Sequence, residues 1–187
     1  GAIPGNGVNR AAFSAEDIAA RKLLGSWAPA RDFSVGTDAI GNLFVRRAGT
    51  ETDAPPVMSG SHMDSQPRGG RFDGIYGVLA ALEALEAIDA AGLKTKRPIE
   101  LVAWSNEEGG RFQPCTMGSA VYTRARSMDS FLDTTDNEGI VLREALAQTL
   151  AALPDAAERE LNAPASAYIE AHIEQGPLLE MQGKTIG

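Results

Sequence analysis

The chain has 187 residues, 43% of them hydrophobic and 22% charged, with a formal net charge of -8 at pH 7. That length buries the core of about one domain, and the acidic balance leaves no basic stripe to neutralise phosphates, which argues against a nucleic-acid partner. No apolar run approaches the roughly 20 residues that cross a bilayer, so no membrane partner is expected, and the single cysteine, Cys115, cannot form an internal disulfide and fits a reducing, cytoplasmic setting.

Residues 1–9 are glycine-rich and read as loop. Ser14, followed by Glu16 and Asp17, is a helix N-cap with acids in the first turn. Ile18, Ala19, Lys22, Leu23 and Trp27 continue a helical stripe that Pro29 ends. Residues 40–47 read as a strand, with Leu43 and Val45 on one face and Asn42 and Phe44 on the other. Pro55 and Pro56 break the chain, and residues 57–61 form a short apolar strand running into His62. Over 74–91, Ile75, Val78, Leu79, Leu82, Leu85 and Ile88 recur at three- and four-residue steps, which predicts a helix capped by Gly92. Ile99–Trp104 is nearly unbroken apolar, as in a strand covered by helices on both sheet faces. A helix is predicted over 138–152, a strand over 167–173, the start of a helix over 177–181, and a strand or turn over 184–187. Strands and helices alternate, so the fold class is α/β, a layered domain with its motifs at strand ends, where open sheets place ligands.

Both histidines of the chain fall in acid- and glycine-rich segments. His62 lies in Gly60-Ser61-His62-Met63-Asp64-Ser65 and His172 in Ala171-His172-Ile173-Glu174-Gln175-Gly176-Pro177. A neutral imidazole is the commonest metal ligand, and a nearby carboxylate such as Asp64 is a usual acceptor for its other ring N–H. The same residues also suit a surface turn. Asp73 stands where a glycine-rich loop meets a helix, so it is a candidate N-cap and equally a carboxylate able to bridge two cations. Glu107 and Glu108 follow a buried strand, where adjacent carboxylates are costly without a cation. One can be a ligand and the other a base for water, or both can belong to a solvated acidic loop. His172 reads as a ligand or as a satisfied core or edge histidine, with Gln175 turning polar groups toward it. Cys115 has no neighbours arranged to activate a thiolate and is read as structural. No glycine-rich segment ends in the Lys-Ser/Thr of a phosphate loop. Metal-assisted hydrolysis is the leading reading.

Taken in order, the segments G-S-H-M-D-S-Q-P-R-G-G-R-F-D-G, W-S-N-E-E-G-G-R-F and H-I-E-Q-G-P-L-L-E, with G-V-N-R near the start and D-A-I-G-N-L before the first predicted strand, resemble one family. It is that of the dinuclear metal amidohydrolases related to N-carbamoyl-L-amino-acid hydrolase, allantoate amidohydrolase and the ureidopropionase of that type, in the aminoacylase and carboxypeptidase-like metallopeptidase superfamily. The resemblance implies a layered α/β/α zinc-peptidase-like catalytic domain, of which residues 1–187 are the first half, ending about where a lid and dimerisation domain would begin. It implies two divalent ions (Zn, Mn, Co or Ni), with His62 and His172 on one, Asp73 bridging, Glu108 on the second, and a further ligand histidine beyond this segment. Glu107 would be the general base, Asp64 would orient His62, and Gln175 would lie beside the substrate. The implied substrate is a small molecule, an N-carbamoyl amino acid or allantoate-like ureido acid, with ammonia and carbon dioxide accompanying the product, and the implied assembly is a homodimer. The histidine of H-I-E-Q-G-P favours this branch over dipeptidases and succinyl-diaminopimelate or acetylornithine deacylases, which usually carry a carboxylate there. Deacylation of an N-acyl amino acid, dipeptide cleavage, or a non-catalytic role for the segment are the alternatives.

Overall fold

In the computed structural model, which describes residues 1–187, the helix expected after Ser14 runs Ala15–Trp27 (α1), and the Ser14 hydroxyl accepts the Asp17 N–H at 3.2 Å. The inner side of α1 is not purely apolar: Asp17 and Arg21 are both fully buried, 2.8 Å apart. Arg21 donates onward to the Gly41 carbonyl and the Ser105 hydroxyl, so α1 is tied to two strand ends. A strand absent from the sequence reading, Ser34–Thr37 (β1), pairs antiparallel with Leu43–Arg47 (β2). The strand expected over 40–47 therefore begins three residues late. Residues 38–42 instead form a turn that Asp38 closes, accepting the Asn42 N–H on Oδ1 at 2.9 Å and the Gly41 N–H on its carbonyl at 2.9 Å.

Val57–His62 (β3), Ile75–Ala90 (α2) and Ile99–Trp104 (β4) form a parallel crossover unit in which His62 lies level with Trp104. β2 runs antiparallel to β4. Two short strands, Ala157–Glu158 (β5) and Ala167–Ile169 (β6), complete a mixed six-stranded sheet in the order β5-β1-β2-β4-β3-β6. The period-two alternation of β2 and β4 divides the core. Leu43, Val45, Leu101 and Ala103 pack under α1 and α2 with Leu24, Val78, Ala81 and Leu85. On the other face Phe44, Val102 and Trp104 meet Met58 and Tyr122 of the short helix Met117–Tyr122 (α3). A third cluster around Phe13, Ile40, Phe112 and Met117 joins Leu142 and Leu146 of Leu142–Ala151 (α4). Each fully buried leucine in these clusters contributes about 1.5–3 kcal/mol.

Several expectations need correction. The helix predicted over 138–152 starts only at Leu142, because Asp136 Oδ1 accepts the N–H groups of Glu138 and Ile140 at 2.9 Å each and holds that stretch as a turn. The strand predicted over 167–173 is paired only through Ile169, opposite Ser59, leaving His172 beyond the sheet. Residues 184–187 form no strand, and the helix expected from 177 is the short Leu178–Met181 (α5). The apolar run of β4 also hides a charge: Glu100, 1% exposed, accepts two N–H groups of Arg159 at 2.8 and 3.2 Å.

Candidate metal-binding active site

Three parallel strands deliver their chemistry at one sheet edge. β3 ends on His62, β4 runs level with it into Ser105-Asn106-Glu107-Glu108, and the segment after β6 carries Glu170 and His172. The loop from β3 to α2 brings Asp73 to the same place, and Gly74 makes that approach possible. Gly74 sits at φ +64°, and a Cβ there would lie 2.4 Å from the His62 ring, a conformation and a closeness that only glycine accepts without strain. Asp73 is not an N-cap of α2: no side chain caps that helix, and its carboxylate faces the histidines instead.

Ligand-capable atoms of His62, Asp73 and His172 all lie within 4.8 Å of one another. Asp73 Oδ1 is 3.9 Å from His62 Nε2 and 3.4 Å from His172 Nε2, and it is buried with no hydrogen-bond partner. The tautomers follow from the main chain. His62 Nδ1 is 2.8 Å from the Asp64 carbonyl and His172 Nδ1 is 2.8 Å from the Ile173 carbonyl, and a carbonyl can only accept. Both rings therefore carry their proton on Nδ1 and turn an Nε2 lone pair toward Asp73. Two imidazole lone pairs converging on an unpartnered buried carboxylate oxygen form a donor set that suits a divalent cation. The residues present fit a metal.

Glu107 lies beside this cluster, its Oε2 3.5 Å from His62 Nε2 and its side chain 31% exposed. Burial pushes its carboxyl above the usual range, an effect opposed by the neighbouring His62 and His172 imidazoles and reinforced by Glu108 and Glu170. Glu108 stands apart from the three-residue cluster: its Oε2 accepts from Gln66 Nε2 at 3.0 Å, while Oε1 is buried without a partner. Gln175 donates its side-chain amide to Asp73 Oδ2 at 2.6 Å, which leaves Oδ1 as the oxygen facing the imidazoles. The Asp64 carboxylate is 3.7 Å from His62 Nδ1, so the orienting contact is Asp64's main-chain oxygen. Its carboxylate instead accepts the N–H groups of Glu107 and Glu108, at 3.1 Å each, and fixes the backbone of the acid pair. Burial raises this carboxyl to about 6, with Asp17 adding to the rise while His62 and the two N–H bonds oppose it.

Other contributors went unrecognised in the sequence. Asn42 accepts the Ser105 N–H at 2.8 Å and donates to Asp38 at 2.8 Å and to the Gly118 carbonyl at 3.0 Å, bracing the strand end that carries Glu107. Trp104, Tyr168 and Glu170 form a hydrogen-bonded row beside the same loop. The alternation of Tyr168, Glu170 and His172 was the available signal for it. Cys115 is exposed and takes no part in the site.

The model of Peptidase family M20/M25/M40 matches residues 58–187. The chain is 40% identical over 182 residues to an N-carbamoyl-L-amino-acid amidohydrolase of Rhizobium meliloti, covering 97% of this chain and 43% of that protein. It is 41% identical over 190 residues to an N-carbamoyl-L-amino acid amidohydrolase of Geobacillus stearothermophilus, covering 100% of this chain and 46% of the relative. Among solved structures, a hydantoinase/carbamoylase family amidase from Burkholderia ambifaria superposes with a TM-score of 0.92 at 48% identity, over 100% of this chain and 45% of that one. The chain thus spans less than half the length of the relatives it matches. Its α/β sheet corresponds to the catalytic half of such an amidase, and the segment running from β3 through His62, Asp73, Glu107 and His172 places it within peptidase family M20/M25/M40, to which it belongs.

Proposed function

We propose that the whole protein is a metal-dependent amidohydrolase that cleaves the carbamoyl or ureido C–N bond of N-carbamoyl amino acids or related ureido acids. The observation that carries this reading is the unpartnered Asp73 Oδ1 between two imidazole Nε2 atoms, with the Glu107 carboxylate at its edge. His62, Asp73 and His172 would hold one divalent ion, and Asp73 with Glu108 would contribute to a second. Zn, Mn, Co and Ni all suit this imidazole and carboxylate set. A divalent ion bound there would supply Lewis-acid activation of the scissile carbonyl and of the attacking water.

The chain's own groups do the proton work. Glu107, with its carboxyl raised by burial, accepts a proton from the attacking water and returns it to the departing nitrogen. Asp64 keeps this base in place through two backbone N–H bonds while its carbonyl holds the His62 tautomer. Gln175, on Asp73 Oδ2, is the polar group best placed to meet substrate at the rim. We further propose a small-molecule substrate, in keeping with the names of the relatives, a cytoplasmic location, in keeping with the single free thiol, and a homodimer, which the family resemblance implies. The test is turnover by the full-length protein, loaded with each of the four metals and offered N-carbamoyl amino acids and allantoate. Metal-dependent release of ammonia is expected. Cleavage of N-acyl amino acids or dipeptides alone would assign a different reaction, and no turnover of any of these would overturn the proposal.

A further inference from the structure

A cavity of about 570 Å³ opens directly beside Glu107. Its floor is apolar, made by Met58, Trp104 and Tyr122, and its rim includes Ser119, Tyr168 and Glu170. The size suits a small organic group. One wall is held by a row of hydrogen bonds. The Trp104 indole N–H donates to the Tyr168 hydroxyl at 2.8 Å, and that hydroxyl lies 2.7 Å from Glu170 Oε2 and 3.3 Å from the Gly60 carbonyl. A phenol has one proton, and the shorter, charge-assisted contact takes it. Tyr168 thus locks one oxygen of Glu170, and no protein group donates to the other.

Glu107 and Glu170 therefore line one cavity, and Glu170 presents there an acceptor oxygen that its Tyr168 partner leaves open. Acceptors without protein donors call for N–H groups from a ligand. Resting on the reading under Proposed function, we infer that Glu170 recognises the terminal amino group of a ureido substrate and so selects ureido acids over N-acyl amino acids. A ureido –CO–NH2 offers two N–H donors next to the scissile carbonyl, whereas an acetyl or formyl group offers none there. A site built around such a hydrogen bond rejects the analogue that lacks it, because its polar group is then left unpaired. Glu170 is solvent-exposed, so the discrimination it adds is on the order of tenfold to a hundredfold rather than more. In the competing structural account, Glu170 serves only as the Tyr168 acceptor that steadies the edge strand.

The experiment uses the metal-loaded full-length protein and compares kcat/KM for the N-carbamoyl and N-acetyl forms of one amino acid. Glu170→Gln is the informative variant: Tyr168 claims the amide oxygen, so an NH2 group now faces the substrate where a carboxylate oxygen stood. The carbamoyl-to-acetyl ratio is expected to fall about tenfold to a hundredfold with metal content unchanged. Tyr168→Phe, which frees the carboxylate to rotate, is expected to lower the ratio in the same direction by less. A ratio within about twofold of wild type for Glu170→Gln, or loss of metal from it, overturns the inference in favour of the structural account. A wild-type protein that cleaves neither compound removes the underlying reading of function as well, and the two failures are told apart by the wild-type rates.

Discussion

Glu107 and Glu108 share one peptide bond yet meet different surroundings. Glu107 faces His62 Nε2 at 3.5 Å, whereas Glu108 is held by Gln66 and keeps one buried oxygen unpartnered. Replacing Glu107 with Gln keeps the shape but removes the base. In the full-length protein this change is expected to lower kcat by about 10² to 10⁴, with metal content by mass spectrometry close to wild type. An emptied metal site would instead make Glu107 a ligand. Gly74 is the second residue whose identity the geometry dictates. Gly74→Ala places a methyl group 2.4 Å from the His62 ring at a φ of +64°. The expected result is a loss of about 1–3 kcal/mol in stability together with weaker metal binding, read by thermal melting and by calorimetric metal titration. Unaltered metal affinity would show that the ring can move without harm. At this scale the sequence was most legible where chemistry is encoded by residue type: His62, Asp73 and His172 were all recognised and do converge. It was least legible for Asp64, whose neighbourhood to His62 was expected but whose carboxylate turns to the Glu107 and Glu108 amides. That choice depends on how two loops meet, and local spacing does not record it.

Among the elements, those bounded by strong periodicity were found nearly in full. α2 and β4 were legible because their apolar positions repeat at helical or sheet spacing and each packs on the central layer. β1 and α3 were missed since four and six residues are too few to show a period. The late start of β2 has a specific electrostatic cause. Asp38 is buried, accepts both the main-chain and side-chain N–H of Asn42, and has its carboxyl pushed by desolvation up to about 6. Its unfolded value is 3.8, so between these limits the folded chain binds more protons than the unfolded one. Stability from this group therefore falls as pH rises through that window and is level above it. The difference in unfolding free energy between wild type and Asp38→Asn is expected to fall by on the order of 2 to 3 kcal/mol from pH 4 to pH 6.5. Denaturant melts across that range check it, and a difference that does not vary with pH would show that Asp38 titrates as it would in water.

For the whole molecule, the layered α/β architecture was readable from the alternation of elements, while the order of strands was not. Pairing β2 with β4 and setting β3 outside them depends on non-local burial of Leu101 and Val102 on opposite faces. The buried Glu100–Arg159 pair belongs to the same category. Arg159 follows β5 at one edge of the sheet, and nothing in the neighbouring sequence indicates that it reaches a central strand.

The three imidazole and carboxylate groups that converge at the sheet edge come from points far apart along the chain: His62 and Asp73 on either side of one loop, and His172 about a hundred positions later. A cation shared among them would be a removable cross-link, closing a loop that contains α2, β4, α3, α4, β5 and β6. Constraining a loop of that size lowers the entropy of the unfolded chain by an amount worth up to about 4–5 kcal/mol. The segment that such a clasp restrains is the one least secured by packing, since Ile169, Leu178 and Met181 all remain exposed. Chelation is therefore expected to act unevenly: amide hydrogen exchange after metal removal should accelerate over 167–181 while α2 and β4 keep their protection. Uniform acceleration would mean that the cation steadies the fold as a whole rather than fastening its last segment.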